Sequence, residues 1–324
     1  MSTAAPGSTV FITDYAWPDV EVERRVIEGA GFRLVAGPST PASAAQIEAL
    51  VEKHKPAGIL TNWAPVSARA VGSSPALRII GRLGVGLDNI AVDEATRRGI
   101  WVTNVPDYCF EEVADHSVGM LLSFTRGLMH FDREVKAGRW EPSTARLKRM
   151  STLTVGIVGY GRIGRSTAQK LNGFGTRVLA YTRSPQVEKG VEFVALDQVL
   201  RESDAVIIHI PLAPETKHLL NRERITSMKA GAIVINVSRG AVVDTNALIE
   251  ALQSGHLGGA ALDVLENEPN VPPALLAHPN VMITPHIAFT SDVSLTELRT
   301  WASEEIVRVL RGQPPKEGRN KPAK

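Results

Sequence analysis

An apolar strand that runs straight into three closely spaced glycines and then a helix leaves few folds open. That run is Thr154-Val155-Gly156-Ile157-Val158-Gly159-Tyr160-Gly161-Arg162-Ile163-Gly164. The first glycine permits a tight turn, the second lets backbone approach a pyrophosphate, and the third lets helix and strand pack closely. The helix start then offers unpaired N–H groups and a positive dipole end to an anion. In isolation such a turn need only reverse the chain. Here strand, glycines, helix and a following strand are all in place, and the pattern predicts a dinucleotide cradle on Gly159, Gly161 and Gly164.

The rest of the chain agrees with that reading. Strands are expected at 154–158, 177–181, 205–210, 233–237, 259–264 and 281–284, with helices at 162–173, 196–202, 221–228 and 244–253. Asp244 is the expected N-cap of the last helix and Gly255 its stop. Six strands make a complete dinucleotide-binding sheet. Upstream, strands at 10–12, 32–35, 58–61, 77–83 and 100–104 surround helices at 19–29 and 44–53. Such alternation implies parallel strands with right-handed crossovers. A long helix is expected at 111–129, with Val113, Val118, Leu121 and Leu122 facing a core. A polar connecting arm should follow over 131–150, and a final helix over 291–311. Residues 1–8 and 312–324 read as loose tails. The expected class is α/β with two Rossmann-like domains: a doubly wound parallel-sheet dinucleotide-binding domain and a smaller flavodoxin-like substrate domain.

Composition excludes several other classes. The 324 residues fit two domains at about 150 residues each. Apolar residues are 44% and charged residues 22%, close to the globular average. The 36 Lys+Arg against 34 Asp+Glu give a net charge of +2, which makes no case for nucleic acid or an anionic membrane. No apolar run is long enough to span a bilayer. Residues 1–8 lack the basic and apolar parts of a secretory signal, so a cytoplasmic protein is expected. One cysteine, Cys109, rules out an intramolecular disulfide framework and a cysteine-based zinc site, and reads as a small buried apolar residue. Seven histidines (54, 116, 130, 209, 218, 256 and 278) show no metal-ligand spacing and read as surface or core residues; no metal is expected. Trp63 and Trp140 read as packing residues.

The strand after the glycine-rich helix bears on cofactor choice. An acid that binds the ribose 2′-OH of NAD is expected about 20 residues past the glycines. At 18 residues past Gly164 the sequence reads Tyr181-Thr182-Arg183-Ser184, with no acid. Thr182 does not repel a 2′-phosphate, and Arg183 and Ser184 can bond to one. NADP is therefore expected over NAD.

Three further strand ends carry polar residues: Asn236-Val237-Ser238-Arg239-Gly240, Asp263-Val264-Leu265-Glu266-Asn267-Glu268-Pro269 and Thr284-Pro285-His286-Ile287-Ala288. In a parallel sheet the carboxyl ends of strands line the binding crevice. Arg239, Glu268 and His286 can therefore converge. A carbonyl that receives a hydride needs a cation to hold its carboxylate and polarise its oxygen, and an acid to supply a proton. Arg239 suits the first task, and His286, oriented by Glu268, the second. Reduction then requires protonated His286 and fades as pH rises, whereas oxidation requires it neutral. Ser238, His286 and Glu268 also contain the side chains of a hydrolase triad. No Gly-x-Ser-x-Gly elbow surrounds Ser238, and that reading leaves the glycine-rich turn unexplained.

Taken in order, these segments resemble one family, the D-isomer-specific 2-hydroxyacid dehydrogenases. The resemblance rests on Gly159-x-Gly161-x-x-Gly164, His209-x-Pro211, Ser238-Arg239-Gly240, Glu268-Pro269 and Pro285-His286. It extends to Gly81-Arg82-Leu83-Gly84-Val85-Gly86-Leu87-Asp88-Asn89, and so covers nearly the whole chain. It implies a catalytic set at Arg239, Glu268 and His286. It implies pyrophosphate contacts at Tyr160, Arg162 and Ile163, further cofactor contacts at Pro211, Thr216 and Val237, and Asp263 facing the nicotinamide amide. It also implies that the Val85-Gly86 backbone holds the substrate carboxylate. A homodimer built on the helix and arm at about 111–150 is implied too, with the last helix crossing back to the first domain. Residues 1–104 with 290–324 would form the substrate domain and 105–289 the dinucleotide-binding domain.

Two departures shape the substrate expectation. Thr182 replaces the acid, as argued above. Asn62, at the strand end Ile59-Leu60-Thr61-Asn62-Trp63, stands where phosphoglycerate dehydrogenases place an Arg, so phosphoglycerate is disfavoured. Arg82 fits both phosphoglycerate-type members and the related corepressor-like branch. With Asn62, Arg82, Val85 and Gly86 as substrate-side residues, the expectation is an oxidoreductase that converts a small 2-keto acid such as glyoxylate or hydroxypyruvate to a D-2-hydroxy acid. A cofactor-sensing interaction protein of the corepressor-like branch and a phosphoglycerate dehydrogenase are the alternatives.

Overall fold

All ladders between strands of the computed structural model, which describes residues 3–185 and 187–322, are parallel. Parallel strands are covered on both faces by their connecting helices, so they read as short, fully apolar runs. Ile79-Ile80 and Val206-Ile207-Ile208 are such runs, and all five residues are buried. The chain divides into two compact units, Met1–Tyr108 with Ser291–Lys324, and Cys109–Thr290.

The first unit contains β1 (Thr9–Ile12), α1 (Glu21–Gly29), β2 (Arg33–Ala36), α2 (Ala44–His54), β3 (Gly58–Thr61), α3 (Ala68–Gly72), β4 (Ile79–Arg82), α4 (Val92–Arg97) and β5 (Trp101–Thr103). Its strands lie in the order β2-β1-β3-β4-β5. Phe11, Ile47, Val51, Ile59, Ile80 and Val102 form one core between sheet and helices. Ser43 and Gln46 cap each other reciprocally at the start of α2, which fixes where that helix begins.

The second unit opens with α5 (Phe110–Thr125) and α6 (Leu128–Lys136). It continues through β6 (Thr154–Val158), α7 (Arg162–Gly173), β7 (Arg177–Tyr181), β8 (Glu192–Phe193), α8 (Leu196–Glu202), β9 (Ala205–Ile208), α9 (Arg222–Ser227), β10 (Ala232–Asn236), α10 (Thr245–Gln253), β11 (Leu257–Leu262), α11 (Pro273–Ala277) and β12 (Val281–Ile283). The strand order is β12-β11-β10-β9-β6-β7-β8. The chain goes from β6 outward to β7, then returns to the other side of β6 to lay down β9. That reversal opens the crevice in which doubly wound sheets take their ligands. Asp244 caps α10, accepting from the N–H groups of Asn246 and Ala247, as its position before the apolar run predicts. The last helix, α12 (Asp292–Leu310), belongs to the first unit and buries Leu298, Ala302, Ile306 and Val309.

The structure corrects the sequence reading at several places. The second sheet has seven strands, not six, because the two residues of β8 pair with β7. A two-residue strand has no periodicity to detect. The helix expected at 111–129 breaks after Thr125, where Gly127 takes φ +61°, a left-handed conformation open to glycine. The arm at 131–150 is helical at its start, as α6, and later holds single turns at Pro142–Thr144 and Met150–Thr152. Trp140 does not pack within the chain; it is 78% exposed. The tails are tied down as well. Ala4 is buried and its N–H donates to Leu310 O at 2.7 Å. Near the other end, Asn320 Oδ1 accepts from Val102 N–H at 2.9 Å, and its Nδ2 donates to Thr96 Oγ1 and Ile100 O. Residues 1, 2, 323 and 324 of those tails lie outside the described residues. Among the described residues no helix is long and apolar enough to cross a membrane.

Asn320 therefore satisfies the edge of β5, which apolar burial alone would leave unpaired. Asn320→Ala should lower unfolding free energy by about 1–3 kcal/mol in a denaturant titration. An unchanged midpoint would show that this tail contributes nothing.

Candidate active site

The carboxyl edge of the seven-stranded sheet gathers most of the polar residues singled out from the sequence. Along the sheet, the segments that leave it are those after β12 (Thr284 to His286), β11 (Asp263 to Glu268), β10 (Val237 to Gly240), β9 (His209 to Pro211), β6 (the glycine-rich turn) and β7 (Thr182 to Ser184).

The glycine-rich turn has the features a pyrophosphate needs. Gly159 has φ +101°, which an L side chain rarely adopts, and a Cβ there would stand 2.7 Å from Ile210 and 2.8 Å from the His209 backbone. A Cβ on Gly164 would stand 2.2 Å from Gly159 O, so only glycine allows α7 to start so close to β6. A Cβ on Gly161 would meet nothing within 4 Å, so the backbone there is open to approach. Gly161 is also the N-cap of α7, and no side chain caps the helix. Uncapped N–H groups, the helix dipole and an open face together fit a dinucleotide pyrophosphate. Beside the turn, the Tyr160 ring is held edge-on by Phe193, with centroids 4.9 Å apart, and by the Arg165 guanidinium over its face. Arg165 pairs with Glu188 at 2.9 Å. Burial and the nearby Glu188 charge push the Tyr160 phenol up to about 12, so it stays neutral.

His209 lies beneath this turn. Its Nε2 is 3.0 Å from Thr167 Oγ1, and its buried Nδ1 has no hydrogen-bond partner among the described residues. Burial pushes its pKa down to about 3, so the ring is neutral at any physiological pH and carries no titrating charge into the cleft. Thr216 closes the neighbouring loop: its hydroxyl donates to Pro211 O at 2.7 Å and accepts from Ala213 N–H. Val237 is buried at the end of β10, and Thr182, Arg183 and Ser184 follow β7 with Arg183 and Ser184 exposed.

Arg239, Glu268 and His286 come together because β10, β11 and β12 are adjacent. His286 Nδ1 is 2.9 Å from Glu268 Oε2. The other oxygen, Oε1, accepts from Leu265 N–H at 2.9 Å. Gly240 packs so tightly on the next loop that a Cβ would fall 1.9 Å from the Leu265 carbonyl carbon, which brings Arg239 beside the Glu268 segment. Burial pushes the Glu268 carboxyl up. The hydrogen bond and charge of His286, the Leu265 N–H and the Arg239 guanidinium outweigh it, and the group ends below the usual carboxylate value. Glu268 is thus ionised through the neutral range. The stability it contributes is present above the usual carboxylate pKa and is lost as pH falls through the lowered one. His286 itself has φ +55°, and its N–H donates to Asp263 O at 2.8 Å.

Two features of this edge had no sequence signal. His218 Nε2 lies 2.7 Å from Glu266 Oε1, while Thr245 Oγ1 donates to Glu266 Oε2 at 2.8 Å, so a second imidazole–carboxylate pair anchors the loop that carries Glu268. Asp263 is a buried carboxylate that takes the Thr284 hydroxyl and the N–H groups of Ile287 and Ala288. Residues 21 to 25 positions apart do not announce such bonds by spacing.

The first unit has its own polar strand ends. Asp14, fully buried after β1, accepts from Thr13 Oγ1 and from the N–H groups of Asn62, Trp63 and Ala64. It shapes the turn that presents Asn62, and the sequence reading passed over it. Arg82 is buried and donates to Asn62 Oδ1 at 3.3 Å and to Leu83 O. Val85 is 41% exposed, and its carbonyl accepts from Asn104 Nδ2, so the Val85-Gly86 turn is braced from below. Among the described residues no group of three His, Cys, Asp or Glu side chains could hold a metal ion.

Comparison with known proteins fits this geometry. The profile of the D-isomer specific 2-hydroxyacid dehydrogenase NAD binding domain matches residues 118–288. A glyoxylate reductase from Pyrococcus furiosus is 40% identical over 281 residues, which is 83% of this chain and 84% of that protein. One from Korarchaeum cryptofilum is 41% identical over 261 residues, 78% of each chain. Among solved structures, D-lactate dehydrogenase from Aquifex aeolicus has a TM-score of 0.86 at 30% identity, covering 98% of this chain and 100% of that one. A D-isomer specific NAD binding domain on the glycine-rich sheet, and relatives alike over most of their length, account for both units at once: the chain belongs to the D-isomer specific 2-hydroxyacid dehydrogenase family.

Proposed function

We propose that the protein reduces a small 2-keto acid to the D-2-hydroxy acid with NAD(P)H, and that glyoxylate or hydroxypyruvate is the favoured type of substrate. The observation that carries this reading is the His286–Glu268 pair, with Arg239 beside it, on the sheet edge that also bears the glycine-rich turn. When bound, the reduced cofactor would supply the hydride that the keto carbon takes up. Arg239 holds the substrate carboxylate and polarises the keto oxygen, a role its forked and permanently charged side chain suits. Nδ1 of His286 faces Glu268, so Nε2 is the atom that hands a proton to that oxygen as it becomes a hydroxyl. Glu268 keeps the ring oriented and balances its charge.

The dinucleotide would rest on Gly159, Tyr160, Gly161, Arg162, Ile163 and Gly164, with Pro211, Thr216, Val237 and Asp263 along the same edge. NADP is favoured over NAD because no acid follows β7 and the exposed Arg183 and Ser184 suit a 2′-phosphate. In the first unit Val85 is 41% exposed, and backbone N–H groups at such a turn suit a carboxylate. Asn62 brings no charge, and Arg82 is bonded to Asn62 and Leu83, which supports a substrate without a phosphate. A homodimer built on α5, α6 and the arm is supported by α6, which buries no residue in the protomer, and by exposed Leu128, Val135, Trp140 and Leu147.

A panel of 2-keto acids should show turnover with NADPH, highest for glyoxylate or hydroxypyruvate. Cofactor binding without turnover would instead mark a sensing protein. Arg239→Ala should lower kcat/KM by about 10²–10³-fold while NADPH still binds; unchanged kinetics would remove Arg239 from the reaction. Thr182→Asp combined with Arg183→Ala should shift preference toward NADH. An unaltered NADPH/NADH ratio would show that this loop does not read the 2′ position.

A further inference from the structure

The loop that carries His286 is held by a chain of donors that starts on a different element. Thr284 has a single hydroxyl proton. Its Oγ1 lies 2.5 Å from Asp263 Oδ1 and 3.0 Å from His116 Nε2. A carboxylate only accepts, and Asp263 already takes the amides of Ile287 and Ala288 at 2.9 Å each. The hydroxyl proton therefore points to Asp263. Thr284 Oγ1 is left as an acceptor, so His116 must donate to it and must carry its proton on Nε2. The same nitrogen is 3.7 Å from Asp263 Oδ1.

This chain bears on His286 through the backbone. His286 sits at φ +55°, where an L residue stays only if its surroundings hold it. Ile287 and Ala288 follow it directly, and both amides are fixed by the Asp263 carboxylate, which is 2% exposed. A buried carboxylate is stable only when its oxygens are hydrogen-bonded, so loss of the Thr284 hydroxyl or of its orientation loosens the same centre that fixes the loop. We propose that His116, on α5, is a positioning residue for His286: as the Nε2–H form it orients the Thr284 hydroxyl onto Asp263, and Asp263 holds the imidazole in place. This rests on His286 being the proton donor of the reaction.

Two measurements test it on the full-length protein. A long-range proton–nitrogen NMR spectrum of histidine-labelled protein, with His116 assigned by its loss in His116→Gln, should show the proton on Nε2; a proton on Nδ1 alone overturns the proposal. In steady-state reduction of glyoxylate with NADPH, His116→Leu and Thr284→Val should lower kcat by about 10–100-fold, the scale of a small misplacement, while NADPH still binds. His116→Gln and Thr284→Ser, which keep a donor and a hydroxyl, should recover most of that loss. Parental kcat in the Leu and Val variants, or equal losses in the Gln and Ser variants, overturns it. If His116→Leu does not fold, the His116 tautomer and the Val and Ser pair at Thr284 together decide the question. If the parental protein reduces no 2-keto acid with either cofactor, the enzymatic reading fails, and the NMR result still decides the hydrogen-bond chain.

Discussion

Parallel neighbours in a sheet end on the same edge, and β10, β11 and β12 are neighbours. Everything at the candidate site depends on that constraint. It brings Arg239, Glu268 and His286 to one place although each lies on a separate loop. It also sets them on the same edge as the Gly159 turn, because β9 and β6 continue the row. An antiparallel pair anywhere in this row would send one of the three loops to the opposite edge. The apolar strands and their helices are therefore the means by which distant polar residues meet.

Charge at that edge is sorted as the chemistry requires. Glu268, with 38% of its side chain exposed, is held ionised by His286, Leu265 and Arg239. His209 is kept neutral by burial, so its ring brings no charge to this edge at neutral pH. Asp263 is buried with three donors from the Thr284 loop. The loops are braced by further pairs: His218 with Glu266 under one, and His116 with Thr284 behind another. Such supporting shells are what hold reacting groups within a fraction of an ångström.

The parts legible in the sequence are those carried by local pattern. β6 and β7 fall at their expected residues, and α7 begins at Arg162, because an apolar run, a glycine turn and an amphipathic helix are each short-range signals. The strand ends at Asn236 and Ile283 exposed the polar triplets because polar residues follow apolar ones there. The illegible parts are long-range or too short to have a period. Asp14 holds a turn 48 to 50 residues away, and His116 reaches Thr284 across 168. Gly127 ended a helix inside an apolar pattern that carries on past it. The polar residues near the C-terminus read as solvent-exposed, but Asn320 uses its amide to pair with the backbone of β5 and its flank.

The central claim is that His286 exchanges a proton with the substrate oxygen beside Arg239. The most direct measurement is the pH dependence of kcat/KM in both directions, for the parental protein and for His286→Asn. The account predicts that reduction falls and oxidation rises as pH increases, and that both limbs disappear in the variant along with most of the activity. Limbs of the same shape in His286→Asn, with activity retained, would contradict it.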